Sequence, residues 1–213
     1  MSNRSQESHQ KHGGFLPIYE KENAFDLLDQ YDQIAIIDAD IYIRSDAPNI
    51  FEDFGTEKSF GAVSEREMPI QGWYQQKIIN YSQMQYAHLH RTAIGVDFKP
   101  NKLGYEFFNM GLILLNCQKF KPYLKGQTAK QFIQRAEFMP FVNGEGAWKW
   151  STDQTLLNFF VKKHRVDVKH MDWKWNGLFT ANIKIKECHF VHFFLKDKLP
   201  DRGENVEELM KQI

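Results

Sequence analysis

Apolar and polar positions alternate between short β-type runs and helical stripes along most of the chain. The clearest run is Ile34, Ala35, Ile36 and Ile37, bounded on both sides by polar residues. A continuous apolar, β-branched run of this kind predicts a strand covered on both faces of a parallel sheet. Ahead of it, Ala24, Leu27 and Leu28 form a helical stripe ending near Gln30. After it, Ile41 and Ile43 alternate with polar neighbours, as in a strand leaving the core. Pro48 opens a short helix carrying Ile50, Phe51 and Phe54, and Phe60 to Val63 reads as the next strand, with Ser64, Glu65 and Arg66 at its end. Gly72 to His90 is an aromatic-rich helical segment without one clean apolar face, and residues 91–106 are irregular. Phe107 to Asn116 (FFNMGLILLN) predicts a second buried strand, entered through Asn109 and Gly111. Helices are expected over Gln127 to Phe138 and Ser151 to Lys163, with a loop over Met139 to Trp150 between them. Val166 to Val168 is a short strand, Met171 to Leu178 an aromatic loop and Glu187 to Phe194 a last strand. Val206, Leu209 and Ile213 suit a short amphipathic helix.

Helices and strands in alternation predict an α/β domain. Residues 1–14 are polar and aperiodic, so they are expected to be a flexible tail. Residues 15–200 then form the folded domain, and 201–213 carry the C-terminal helix. A length of 213 residues fits one domain. Formal net charge is zero and no basic stripe stands out, which argues against nucleic acid as a partner. No apolar run reaches membrane-spanning length, and no signal peptide is evident. The two cysteines, Cys117 and Cys188, lie far apart among apolar residues and read as buried free thiols in a reducing, cytoplasmic setting.

The first candidate chemistry stands at the end of the Ile34–Ile37 run. Asp38 and Asp40 are two positions apart, which places both side chains on one side of an extended chain. The carboxyl end of a buried strand is where open α/β sheets bind ligands. Two neighbouring carboxylates repel unless a cation lies between them, and a divalent metal with hard oxygen ligands resolves the conflict. Around the last strand, His189 and His192 fall on opposite faces, so at most one of them joins such a metal. His192 is either a core histidine or a ligand. Ser151 to Gln154 matches a capping box, with Asp153 in the first turn suiting the helix dipole. The same helix start equally suits a hydroxyl-rich ligand. Gly111 either permits close packing or lets backbone approach a sugar. Trp148, Trp150, Trp173 and Trp175 are buried anchors or carbohydrate-stacking platforms.

Taken together, these segments resemble the GT-A glycosyltransferases of the glycogenin-like and galactosyltransferase-like group called family eight. YDQIAIIDADI resembles the family's YD-x-hydrophobic-D-x-D strand, and FFNMGLILLN its F-N-x-G-hydrophobic-N strand. STDQTLLN resembles the D-Q-x-hydrophobic-hydrophobic-N helix start, WKWNGL the W-N turn, and VHFFLKDK the H-aromatic-x-G-x-x-K end, with Leu195 in place of the glycine. The resemblance implies a GT-A-like mixed, mostly parallel sheet flanked by helices. Only about thirty residues precede Tyr31, so the first base-binding strand of that fold is expected to be missing. By the same resemblance, Asp38, Asp40 and His192 bind Mn²⁺ or Mg²⁺, and Lys198 contacts the donor diphosphate. Asn109 and Gly111 join the donor site, while Asp153 and Gln154 face the transferred sugar as catalytic residues. The implied activity is metal-dependent transfer, with retained anomeric configuration, from a nucleotide-diphosphate sugar, most naturally a UDP-sugar. The acceptor, whether glycan, protein or lipid-linked, is left open.

Two other classes compete. Haloacid-dehalogenase-type phosphatases also place D-x-D after an apolar strand, with the first aspartate as nucleophile. Tyr42 stands where their motif requires Thr or Val. A non-catalytic carbohydrate-binding or scaffold relative of a transferase is the other alternative.

Overall fold

The structure is a computed structural model and describes residues 17–92, 100–144, 152–193 and 206–211. The expected tail at 1–14, Lys198, Trp148, Trp150 and Ser151 lie outside the described residues.

Strands β1 (Gln33–Ile37), β3 (Phe60–Ser64), β4 (Phe108–Asn116) and β5 (Val168–His170) form one sheet in the order β1-β4-β3-β5. Strands β2 (Ile41–Ile43), β7 (Phe190–His192) and β6 (Gly177–Leu178) form a smaller one in the order β2-β7-β6. Helices are α1 (Ile50–Phe54), α2 (Gly72–Thr92), α3 (Cys117–Leu124), α4 (Ala129–Ile133), α5 (Met139–Asn143), α6 (Asp153–Lys163) and α7 (Val206–Met210).

The α/β class and the mixed sheet hold, but β1 does not lie in a parallel sheet. It pairs antiparallel with β4, as does β3, and β2 with β7; β3–β5 and β6–β7 are parallel. Nor is β1 buried on both faces, since Ile34, Ala35 and Ile36 are half-buried and Ile37 is exposed. An apolar run reports what the side chains pack on and not the direction of the neighbouring strand. β4 is the true centre, with all nine of its residues buried.

The stripe before β1 also differs. Pro17–Leu27 is a 3₁₀ helix, in which every third residue eclipses the first. Its buried face is Tyr19, Glu22 and Phe25, continued by Leu28 just past its end, whereas Leu27 points outward. Phe25 packs on Phe120 of α3 and Phe132 of α4, with ring centroids 5.2 Å apart in both pairs.

The expected helix 127–138 shrinks to α4, closed at its start by a capping box between Thr128 and Gln131. The loop expected at 139–150 begins with the short helix α5. α3, absent from the pattern reading, is capped by Asn116, whose side chain accepts the Lys119 N–H. Apolar side chains from β4, α3, α4 and α6 make one core, and a second lies between the two sheets around Leu112, Leu114, Trp175, Leu178 and Phe190. The junction of the two sheets carries the site described next.

Candidate active site

Strand β1 ends at Ile37, and the chain turns at once, with the Ile41 N–H donating to the Asp38 carbonyl at 3.1 Å. That turn hands the chain from the larger sheet to the smaller. Asp38 stays tied to β4, its N–H donating to the Gly111 carbonyl at 2.8 Å. Asp40 is tied to β7, its carbonyl accepting the Phe193 N–H at 2.9 Å. His192, the last residue of β7 and nearly fully buried, projects between them. Its Nε2 lies 3.3 Å from Asp40 Oδ1 and 3.8 Å from Asp38 Oδ2. One ligand atom from each of the three falls within 4.8 Å of the others, so the trio fits around a single ion. Burial pushes the Asp40 carboxyl up, but the hydrogen bond and charge of His192 outweigh it and hold the group below its usual range. His189, as expected, faces elsewhere and stacks on Trp175 at 4.7 Å.

Gly111 gives the imidazole its room. A Cβ there would lie 2.4 Å from His192 Cε1 and 2.7 Å from Nδ1. Thus the close approach that the glycine permits is to a side chain of the site. The β3–β4 register shifts between Gly61 and Val63, opposite this stretch. Such irregularities re-aim side chains beside functional sites.

Asn109, Asp153 and Gln154 converge on the same place, though through partners that the sequence does not advertise. Lys21, on the 3₁₀ helix, sets its ammonium 2.6 Å from Asp38 Oδ1, 2.8 Å from Asp153 Oδ2 and 3.0 Å from the Met110 carbonyl. Burial works to lower its pKa, but the charges of Asp153 and Asp38 prevail and raise it. Asp153 is itself buried, which raises its carboxyl despite Lys21. Gln154 does not close a capping box. The N-cap of α6 is Thr152, without a side-chain bond, and the Gln154 amide instead accepts the Met110 N–H at 3.3 Å and donates to Glu65 at 3.1 Å. Glu65 also accepts from Asn109 at 2.8 Å. Its full burial raises its pKa against those two hydrogen bonds.

These groups line one wall of an open cavity of about 510 Å³. The cavity is lined as well by the face of α2 that carries Tyr74, Lys77, Ile78 and Tyr81, at the spacing of one helical side. Of the residues that sequence reasoning missed, Glu65 had a signal, because it stands at the end of a buried strand. Asn176 lay inside the W-N motif but was given no role. Lys21 had none, being one lysine in a polar segment.

The architecture and the site together define the class. The fold is that of the GT-A glycosyltransferases. LgtC, a galactosyltransferase solved in complex with donor and acceptor sugar analogues, superposes with a TM-score of 0.53 at 15% identity, over 91% of this chain and 64% of that one. Mouse xyloside xylosyltransferase 1 gives a TM-score of 0.50 at 14% identity, over 85% and 64%. The profile of glycosyl transferase family 8 matches residues 2–198, so the chain belongs to that family. This displaces the phosphatase reading. The chain spans less than two thirds of the length of either of these solved structures. A comparison with curated proteins finds no match.

Proposed function

We propose that the chain transfers a sugar from a nucleotide-diphosphate donor, a UDP-sugar, to an acceptor hydroxyl, with a divalent cation held by Asp38, Asp40 and His192. One observation carries this reading in a chain of this family. Two carboxylates from the turn between β1 and β2 and an imidazole from β7 meet within 4.8 Å on the wall of a cavity large enough for a ligand. Two oxygen donors and one imidazole suit Mn²⁺ better than Mg²⁺. Bound there, the cation would supply positive charge to the departing diphosphate.

The remaining roles fall to the chain itself. Lys21 offers a fixed ammonium at the cavity wall, kept protonated by its two carboxylate partners. Asp153 and Gln154 face the transferred sugar from the start of α6. The hydrogen bonds of Gln154 to Met110 and Glu65 fix its amide, so its position is set before a donor arrives. Asn109 lies beside them at the cavity wall. The aromatic face of α2 forms the acceptor side. Retention of anomeric configuration belongs to this proposal through family resemblance. Two buried, unpaired thiols support a reducing, cytoplasmic setting. Among the described residues, no helix is long and apolar enough to cross a membrane.

The test is a thermal-shift series with UDP, GDP and CDP, each with and without Mn²⁺, on the wild type and on Asp40→Asn. A ligand that binds only the folded state stabilises it by about 2.7 kcal/mol at a hundred times its Kd. The expected outcome is a rise in Tm with UDP that requires Mn²⁺ and vanishes in Asp40→Asn, together with slow Mn²⁺-dependent hydrolysis of a UDP-sugar. Binding without any transfer or hydrolysis would favour a non-catalytic relative. No nucleotide binding by a folded wild type would overturn the donor site.

A further inference from the structure

The nitrogen of His192 that faces away from the acids reaches Asn176, with Nδ1 3.0 Å from Asn176 Oδ1. Asn176 is fully buried in the 3₁₀ turn Trp173–Asn176, ahead of β6. The direction of this contact follows from a chain of hydrogen bonds that begins at a backbone donor. The Gly111 N–H lies 3.0 Å from the Asn109 side-chain atom assigned as oxygen, and a backbone N–H can only donate. That atom is therefore the carbonyl oxygen. The other end of Asn109 is then the amide nitrogen, which donates to Glu65 Oε1 at 2.8 Å. Asn176 approaches the same Asn109 oxygen at 2.8 Å, so it does so with its own Nδ2. Its remaining atom, Oδ1, faces His192 and is an acceptor. Hence Nδ1 of His192 carries the proton.

We infer that Asn176 is a positioning residue, which commits Nδ1 of His192 as a donor, so that the neutral ring is the Nδ1–H tautomer and turns an accepting Nε2 to Asp38 and Asp40. The partner of one ring nitrogen sets the state of the other. With Nδ1 committed as a donor, the Nε2 lone pair of the neutral ring points at two carboxylate oxygens. Three acceptors then converge; a proton on Nε2 relieves them in the metal-free chain, as in the hydrogen bond to Asp40, and a metal ion that takes its place satisfies all three together. Glu65 and Asn109 act behind Asn176. Glu65 Oε1 also receives the Gln154 amide, so one buried carboxyl holds both the His192 relay and the sugar-facing glutamine. The metal consequence rests on the function proposed above; the tautomer does not.

The experiment is a long-range ¹H–¹⁵N correlation spectrum of the metal-free, ¹⁵N-labelled protein. The His192 signals are assigned by their loss in His192→Asn. In the wild type, the neutral ring is expected to carry its proton on Nδ1. Asn176→Ala should lose that preference, and its Mn²⁺ affinity by calorimetry should fall about 10–100-fold. Asn176→Asp keeps an acceptor toward Nδ1 and should restore the Nδ1–H tautomer, although it gives up the bond to Asn109. A wild-type ring protonated on Nε2 overturns the inference without recourse to any variant. So does an Asn176→Ala protein with unchanged tautomer and affinity. The expected tautomer in a wild type that binds no Mn²⁺ would sustain the role of Asn176 and remove the metal.

Discussion

The place of the His192 imidazole depends on an absent side chain. An added Cβ at position 111 would meet His192 Cε1 at 2.4 Å and the Asn109 oxygen at 3.0 Å. The ring cannot keep its place, since the second contact blocks relief on that side. Gly111→Ala is therefore expected to lower Mn²⁺ affinity by roughly tenfold or more, in the range of other displaced ligand supports. Overpacking would lower stability by about 1–3 kcal/mol. Calorimetric titration measures the first and denaturant melts the second. An unchanged Mn²⁺ affinity would place His192 outside the ligand set.

Helix α6 carries Asp153 and Gln154, and its docking on β4 sets where they stand. The anchor is Asn158, one turn further on and fully buried. Its oxygen accepts the Phe108 N–H at 2.7 Å, and its nitrogen donates to the carbonyls of Phe108 and Gln154, both at 2.8 Å. It serves as a side-chain strand partner for β4. Phe160, on the same helix, packs on Phe120 and Phe132 with centroids 6.1 Å and 4.9 Å away. Asn158→Ala leaves both backbone groups of Phe108 buried and unpaired, at a cost of roughly 2–4 kcal/mol. The loss should show in urea melts, and transfer should fall further than stability explains because Gln154 moves with the helix. A variant within 0.5 kcal/mol or so of wild type would mean that the apolar contacts alone dock α6.

The molecule as a whole passes between its two sheets from β1 to β2, from β2 to β3 and from β5 to β6, and a 3₁₀ helix reaches the first of these crossings through Lys21. That helix buries an acid. Glu22 is fully buried, and among the described residues neither carboxylate oxygen has a hydrogen-bond partner. Burial, reinforced by the nearby charge of Asp153, holds its pKa well above the ordinary 4.5. The folded chain thus keeps a proton that the unfolded chain releases once the pH passes that value. The sign follows: the folded state binds more protons, so this group's contribution to stability declines as pH rises from the unfolded pKa toward the folded one. Glu22→Gln removes the ionisation with little change of shape. Its Tm should approach the wild-type value near about pH 5 and exceed it increasingly as the pH rises from there toward the folded-state pKa. A gap that stays constant with pH would show that Glu22 does not titrate on unfolding.

Much of this protein is legible as local pattern. The α/β class follows from alternating periodicities, and Asp38 and Asp40 stand out because their spacing is short and their setting apolar, whereas Asn109, Gly111 and His192 are singled out as site residues only by the family resemblance. Local pattern ends where a choice between equivalent partners begins. Thr128–Gln131 and Ser151–Gln154 carry the same capping signature, but Gln131 closes its box while Gln154 turns to Glu65 and Met110, which approach it only in the folded chain. The run Ile34–Ile37 announces a strand without saying that its neighbour is antiparallel. A stripe of every third residue, with Leu27 outside it, becomes visible only when Phe25 has something to pack against. Lys21 bears no mark in the sequence, and neither the strand end that carries Glu65 nor the W-N motif that carries Asn176 says what either residue will bind. Their roles are electrostatic and directional, and a charge or an amide acquires a role only from the group placed within about 3 Å of it, however distant along the chain.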